Sequence, residues 1–366
     1  VQIIENPINC STLSKLTESD LAFLNFSGRQ AFYKQGYFGQ NVVVAVVDTG
    51  VSPHAEFEDR LLTGKNTNGW YFPTDTAEDD NGHGTHVAGT IAGKTCGIAP
   101  KARILPVKAL SGLGEANALD VIGALQYIKN WRGSSGERVD IVNMSISDAR
   151  PDLLELYHQA VRELVDIGIV VIVAAGNTGA EHVLYPAYFP EVITVGAVDI
   201  NKGVASFSTR SDQVDLCQVG VDVASCSYTG GYEKMSGTSM ATPIVSGIAA
   251  LMISKYKAIF GGNMPEYLVW QMLKYNTVDI GTAGIDKESG AGFCTLQPLT
   301  NSLTMVFEKG SNNVLVNGAN QYTDAAPLTV RVAGGDRYMV PLRFPFEKIG
   351  AAVTYDSITK KATIKF

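Results

Sequence analysis

Short, continuously apolar runs alternate with helical patterns over the first 300 residues of the chain. Residues 42–47 read Val-Val-Val-Ala-Val-Val. Such a run predicts a strand buried on both faces, as in a parallel sheet. Further strands are predicted at residues 103–109, 140–146, 169–174 and 192–198, with helices at 117–131 and 152–167. In the second helix Leu153, Leu156, Tyr157, Ala160, Val161 and Leu164 recur at helical spacing, with Glu and Arg on the opposite face. Residues 238–255 predict a third helix. Its Ile244, Val245, Ile248, Ala249, Leu251 and Met252 make it apolar nearly all round, so it should be buried. Strand–helix alternation implies an α/β fold, a mainly parallel sheet with helices on both faces. Functional residues should then collect where strands end and helices begin. Beyond residue 303 the pattern changes to short alternating segments at 305–309, 314–316, 328–332, 339–342 and 361–366, separated by Gly, Asn, Asp and Pro. These predict a small β-rich domain. The expected organisation is an N-terminal extension (1–27), a main domain (28–300) and a small accessory domain (303–366).

Composition narrows the function classes. With 45% apolar and 18% charged residues the chain has a globular balance. A net charge of -7 argues against a nucleic-acid partner or an anionic membrane surface. No run is expected to reach the ~20 apolar residues of a membrane helix, so no span is predicted. Five cysteines, Cys10, Cys96, Cys217, Cys226 and Cys294, are an odd number with no zinc-site spacing, which is no disulfide scaffold. Cys217 and Cys226 are close enough to pair, and spacing alone does not decide it. The start at Val1 carries no signal-peptide pattern, which leaves open whether one was removed.

Three residues at predicted element boundaries could carry chemistry. Asp48 ends a buried strand in Val47-Asp48-Thr49-Gly50; the bland reading is a turn cap. Asp-Thr-Gly also serves aspartic proteases, but those need a second such carboxylate, and none is present. His83 lies in Asn81-Gly82-His83-Gly84-Thr85-His86, where a lone histidine is usually only surface. Its glycines let the backbone bend around the imidazole. A His83–His86 metal pair lacks the intervening Glu of a zinc helix. Ser239, in Ser236-Gly237-Thr238-Ser239-Met240-Ala241, reads as an N-cap and equally as a nucleophile at a helix N-terminus. All five histidines precede Ser239, which excludes the α/β-hydrolase order, and position 241 is not the Gly that pattern needs. The order Asp48, His83, Ser239 is that of the subtilisin triad.

The blocks VVDTGV, NGHGTHVAGT and SGTSMATP closely resemble those of subtilisin-like serine proteases (subtilases), and Ala174-Ala175-Gly176-Asn177 resembles their oxyanion-hole segment. The resemblance spans roughly residues 28–298. It implies a subtilisin-like three-layer fold and a serine endopeptidase acting through an acyl-enzyme. Asp48, His83 and Ser239 would be the triad and Asn177 the oxyanion donor. It implies polypeptide substrates bound as an added strand between Ser111-Gly112-Leu113-Gly114 and Ser145-Ile146-Ser147, and a pro-domain or protein inhibitor as a further partner. The first residues look too short for the family's full inhibitory pro-domain. Gly112-x-Gly114 alone hints at a dinucleotide loop, but Asn117 stands where its third Gly belongs.

Departures from the family pattern matter. Ile146-Ser147-Asp148 replaces the usual Leu-Gly-Gly-like run. Asp148 either lies near the side-chain pocket and favours basic residues or, the favoured reading, faces solvent. Leu184 stands where a small residue is common at the pocket floor and would make it shallow. No cofactor is expected for the chemistry. The calcium loop that many subtilases insert after the catalytic His is short here and lacks carboxylates, so that site, to which Glu56 would contribute, is expected to be absent. Asp75, Glu78, Asp79 and Asp80 form either a solvated acidic loop, the commoner case, or a Ca²⁺ site. Near the C-terminus, Val314–Val316 with Asn317-Gly318, Met339 to Arg343 and Val353 to Asp356 resemble the small domain named after the N-terminal part of copper amine oxidases, which recurs in secreted bacterial proteins. No His follows His182 and no Cys follows Cys294, so copper is not expected. This module tips the expected location to the outside or surface of a bacterial cell, with the cytoplasm as alternative. The rival to an active protease is a catalytically silent subtilase that only binds or regulates.

Overall fold

The computed structural model describes residues 8–69, 76–148 and 153–296, and beyond them the strands 304–308, 313–316, 319–322, 328–332, 335–339, 352–356 and 361–365. The chain divides into two compact units, Val1–Gln297 and Pro298–Phe366. The first unit begins with β1 (Ile8–Leu13), α1 (Ala22–Phe26), α2 (Arg29–Tyr33), β2 (Val43–Asp48) and β3 (Lys65–Asn66). Next come α3 (His83–Ala92), β4 (Arg103–Lys108), α4 (Ala118–Asn130), β5 (Ile141–Met144) and α5 (Leu154–Asp166). Then follow β6 (Val170–Ala174), β7 (Ile193–Val198), β8 (Leu216–Val219), β9 (Val223–Cys226) and β10 (Tyr232–Ser236). It closes with α6 (Thr238–Phe260), α7 (Glu266–Tyr275), β11 (Thr277–Val278) and β12 (Phe293–Cys294).

Nine strands form one sheet in the order β11-β12-β8-β7-β6-β5-β2-β4-β3. All neighbours are parallel except β11 and β12. Every residue of β2 is buried. Successive side chains of a strand face opposite ways. Val43, Ala45 and Val47 join one core with Leu125 and Ile128 of α4 and Leu164 of α5. Val44 and Val46 therefore face the other layer, where α3 and α6 lie. The apolar run at 42–47 is thus satisfied on both sides, as its lack of alternation requires.

The connections decide where a site can form. β2 is flanked by β4 on one side and β5 on the other. The chain leaves β2, returns on one side, then crosses to the opposite side. Such a reversal opens a crevice outside the carboxyl ends of the strands. Asp48 is the last residue of β2, so it stands at that crevice.

Two expectations need correction. The strand predicted at 140–146 stops at Met144. Ser145 lies past its end, with its hydroxyl donating to the Ser239 carbonyl. The absence of a long apolar helix does not hold either. α6 has 23 residues and a mean hydropathy of 1.3 over its most apolar window, long and apolar enough to cross a membrane. It is buried instead against α3 and β5 to β8. Gly261, at φ 71°, ends it by donating its N–H to the Lys257 carbonyl.

Among the described residues a second sheet, β1-β10-β9, is antiparallel. In the C-terminal unit β13 (Thr304–Glu308), β14 (Asn313–Val316) and β15 (Ala319–Tyr322) are followed by β16 (Leu328–Val332) and β17 (Gly335–Met339). β18 (Ala352–Asp356) and β19 (Lys361–Lys365) complete it. Five of these form a sheet in the order β15-β14-β13-β19-β18, and β16 pairs with β17 as a hairpin. The strand predicted at 339–342 meets β17 only at Met339; residues 340–342 lie outside the described ones.

Candidate active site

Asp48 and His83 meet at the crevice. Asp48 Oδ1 accepts from His83 Nδ1 at 2.7 Å and from the Thr49 N–H at 2.8 Å. Both side chains are buried, at 0% and 1% exposure. A proton held on Nδ1 leaves Nε2 as the basic nitrogen of the neutral ring. Nε2 has no partner, and neither has Asp48 Oδ2. Burial pulls the His83 pKa down, but the charge and hydrogen bond of Asp48, helped by the charge of Asp79, outweigh it and raise the pKa above the ordinary 6.5. His86, one turn on in α3, goes the other way. Burial and the neighbouring His83 lower it to about 3, and its Nε2 lies 3.0 Å from the Val223 carbonyl oxygen. His86 is therefore a neutral core histidine rather than a partner in a metal pair.

Ser239 is the second residue of α6. The first N–H groups of a helix have no partner inside it, so its main-chain N–H is free to serve a ligand. Pro243 shapes this turn. It lacks the N–H that would bond the carbonyl four residues earlier, which is that of Ser239. Ser145 Oγ fills the gap, donating to Ser239 O at 2.9 Å. Ser239 Oγ in turn donates to Ser145 O at 3.3 Å. The hydroxyl thus makes no bond to His83. Catalytic hydrogen bonds are often unmade in unliganded sites and form with substrate.

The amide of Asn177 is oriented by its neighbours. Its Oδ1 accepts from the Thr238 N–H at 2.8 Å and from the Thr238 hydroxyl at 3.0 Å. The Nδ2 end is then the donor end. Thr238 Oγ1 also accepts from the Gly176 N–H at 3.1 Å, tying the segment after β6 to the start of α6.

The predicted peptide-flanking segments follow β4 and β5, the two neighbours of β2. Leu113 is 75% exposed, Gly114 has φ 74°, and Gly112 O accepts from Asn81 Nδ2 at 2.9 Å. Ser145, Ile146 and Ser147 are buried, and Ile146 belongs to the core. Only their main chain can meet a ligand. The solvent-facing reading of Asp148 fails: it is 6% exposed and its main chain pairs with that of Tyr185. Leu184 is half-buried.

The acidic cluster resolves differently from the expected solvated loop. Asp75 lies outside the described residues. Asp79 is not a solvated carboxylate: it is buried and accepts five hydrogen bonds. Asp80 pairs with the buried Lys108 ammonium at 2.6 Å. Among the described residues no cluster could hold a metal ion. Glu56 accepts from Tyr232 Oη at 2.7 Å and from the Thr95 N–H. Burial pushes its pKa up, but these two bonds prevail and hold it below the ordinary value. Protons aimed at both of its oxygens do not fit a cation there. Among the described residues no disulfide forms, so Cys217 and Cys226 do not pair; Cys226 Sγ lies 3.8 Å from Cys96 Sγ.

Sequence reasoning missed the supporting polar groups. Ser246 Oγ donates to Asn143 Oδ1, whose Nδ2 donates to Ser145 Oγ, so a buried chain runs from inside α6 back to Ser239. Asn143 in an otherwise apolar strand was the one available signal. Thr49, Thr85 and Thr238 sit within the quoted motifs and Asp79 within the acidic cluster, but nothing in the sequence says which atoms they bond.

Comparison with known proteins places the chain in a family. Residues 39–292 match the model of the subtilase family, and residues 315–365 that of the copper amine oxidase N-terminal domain. The latter stretch has no His or Cys, so it lacks the donors copper prefers. The chain is 37% identical over 266 residues to the minor extracellular protease Epr of Bacillus subtilis, covering 71% of this chain and 38% of that protein. It is 38% identical over 252 residues to the thermostable alkaline protease of Halalkalibacterium halodurans, covering 67% and 65%. It is 36% identical over 264 residues to the major intracellular serine protease of Bacillus subtilis, covering 69% and 80%. Over half the chain matches one family model, and its strand order and helix layers are those of an α/β enzyme: the chain belongs to the subtilase family.

Proposed function

We propose that the chain is a serine endopeptidase in which Asp48, His83 and Ser239 act as the triad and Asn177 as an oxyanion donor. The observation that carries this reading is the buried Asp48–His83 pair, 2.7 Å apart, with Nε2 left basic and unpartnered. A serine hydroxyl is a weak nucleophile until a base takes its proton. Once substrate draws Ser239 away from the Ser145 carbonyl, His83 Nε2 takes that proton as Oγ attacks the scissile carbonyl. Asp48 holds the ring tautomer and stabilises the imidazolium. The developing oxyanion is met by Asn177 Nδ2 and the Ser239 N–H. His83 then protonates the leaving amine, and water repeats the sequence on the acyl-enzyme. None of these steps calls on a cofactor.

The substrate is an extended polypeptide that adds as a strand between residues 111–114 and 145–147. A pro-domain or protein inhibitor would use the same groove. The accessory domain supports action outside the cell or at its surface. The odd number of cysteines and the acidic pI favour the cytoplasmic alternative, and relatives carry both "extracellular" and "intracellular" in their names. Cleavage of a peptide library, mapped by mass spectrometry with and without phenylmethylsulfonyl fluoride, tests the activity. Cleavage abolished by the reagent is expected. A folded chain that cleaves nothing would be the silent, binding-only subtilase instead.

A further inference from the structure

The catalytic Asp and His sit on different elements, and one buried carboxylate ties those elements together. Asp79 precedes α3 and is 5% exposed. Its Oδ1 accepts from Thr49 Oγ1 at 2.8 Å, from the Asn81 N–H at 3.0 Å and from the Gly82 N–H at 2.9 Å. Its Oδ2 accepts from the Thr85 N–H at 2.9 Å and the Thr85 hydroxyl at 2.6 Å. Four of these five donors flank His83 in the chain: the N–H groups of Asn81 and Gly82 before it, and the N–H and hydroxyl of Thr85 after it. The fifth, Thr49, follows Asp48 and donates its N–H to the catalytic carboxylate. Thr49 Oγ1 also accepts from the Gly84 N–H at 3.0 Å, so the link is closed on both sides. No side chain caps α3 from the residue before it. Asp79 and Thr49 supply acceptors for N–H groups that its first turn leaves open.

We propose that Asp79 is a positioning residue for the serine-protease reaction: it clamps the turn after Asp48 to the first turn of α3 and so fixes the Asp48–His83 pair. The inference rests on the proposed function above. It assigns Asp79 no contact with substrate. A carboxylate suits the task because all five partners are donors, and an amide can accept on only one of its two ends. Misplacing a catalytic group by about 1 Å from outside the chemistry costs about 10²-fold in rate.

His83 faces Asp48 from β2, Asp79 from the loop before α3 and His86 from its own helix. Glu233 of β10 lies beyond and is coupled to Asp79. Removing the Asp79 charge should therefore ease deprotonation of His83, whatever it does to stability.

The test compares wild type with Asp79→Asn in the full chain. Folding is checked by circular dichroism, and rates are expressed per active site titrated with a fluorophosphonate. The expected result is a folded variant with kcat down about 10²-fold, KM nearly unchanged, and the acid limb of kcat/KM moved to lower pH. A variant with a lowered Tm but with wild-type kcat and acid limb would overturn the positioning role and leave Asp79 purely structural. If Asp79→Asn does not fold, Thr49→Val removes the hydroxyl that joins the turn after Asp48 to Asp79 and to the Gly84 N–H while leaving the other four bonds of Asp79. It should lower kcat with little change in KM, and an unchanged kcat would overturn the proposal. A folded wild type that neither hydrolyses peptides nor labels at Ser239 would overturn the protease reading itself, and this inference with it.

Discussion

Helix α4 on one face of the central sheet starts in the opposite way to α3 and α6 on the other. On one face α4 is capped by its own sequence. Asn117 Oδ1 accepts from the Asp120 N–H, and Asp120 Oδ2 accepts from the Asn117 N–H. On the other face α3 and α6 have no side-chain cap of their own. Their first N–H groups are met by residues distant in the chain: Thr49 for α3, Asn177 for α6. Those distant partners are the neighbours of Asp48 and a predicted catalytic group. A local cap stabilises a helix; a remote cap also fixes its end against another element. The face that carries His83 and Ser239 spends its helix termini on alignment, whereas α4 spends its own on stability.

Substitutions on the two faces should separate these uses. Ser239→Ala should leave the fold intact and lower kcat about 10⁶-fold, a magnitude carried over from subtilisin itself. Measurable ordinary turnover in that variant would break the assignment. Asn177→Ala should cost about 10²–10³-fold in kcat, again on subtilisin's scale. It also removes the remote cap of α6, so a small loss of Tm should accompany it. The pH profile gives the next effect. His83 must be neutral to accept a proton, and its pKa is raised, so kcat/KM should fall as pH drops through a value above 6.5. The decline should be about tenfold per pH unit below that value. An acid limb well below 6.5 would contradict the Asp48–His83 pairing. His86 acts on stability instead. Its folded pKa is depressed to about 3, so the unfolded chain binds the extra proton between pH 6.5 and 3. Stability attributable to His86 is present above pH 6.5 and should be lost across that window, at up to about 1.4 kcal/mol per pH unit. Denaturant midpoints at several pH values would measure it. The smallest effect belongs to the locally capped helix. Asn117→Ala should cost about 1 kcal/mol of stability and leave kcat unchanged.

The same contrast explains what could be read in advance. Residues 42–47 announced a two-sided strand because no polar residue interrupts them, and β2 lies there. The stripe of α5 and the all-apolar α6 were equally direct, since their patterns are local. The end of β5 was not legible. Nor was the role of the Ser145 hydroxyl, which replaces the helical donor that Pro243, far along the chain, denies the Ser239 carbonyl. Asp79 misled for a related reason. Among Glu78 and Asp80 it reads as part of a solvated acidic loop, yet the fold brings Thr49 and Thr85 to it and buries it. Asp148, expected to face solvent, is covered once its strand-like pairing with Tyr185 forms. Local pattern therefore gave the elements and the residue types at the crevice. Hydrogen bonds between distant segments, which no spacing encodes, arranged them.

Locating a covalent adduct tests the central claim most directly. The folded chain would be treated with a fluorophosphonate, digested, and the modified peptide sequenced by mass spectrometry. A single adduct on Ser239 that disappears in His83→Ala is predicted. An adduct on another residue, or undiminished labelling of Ser239 without the His83 imidazole, would contradict the account.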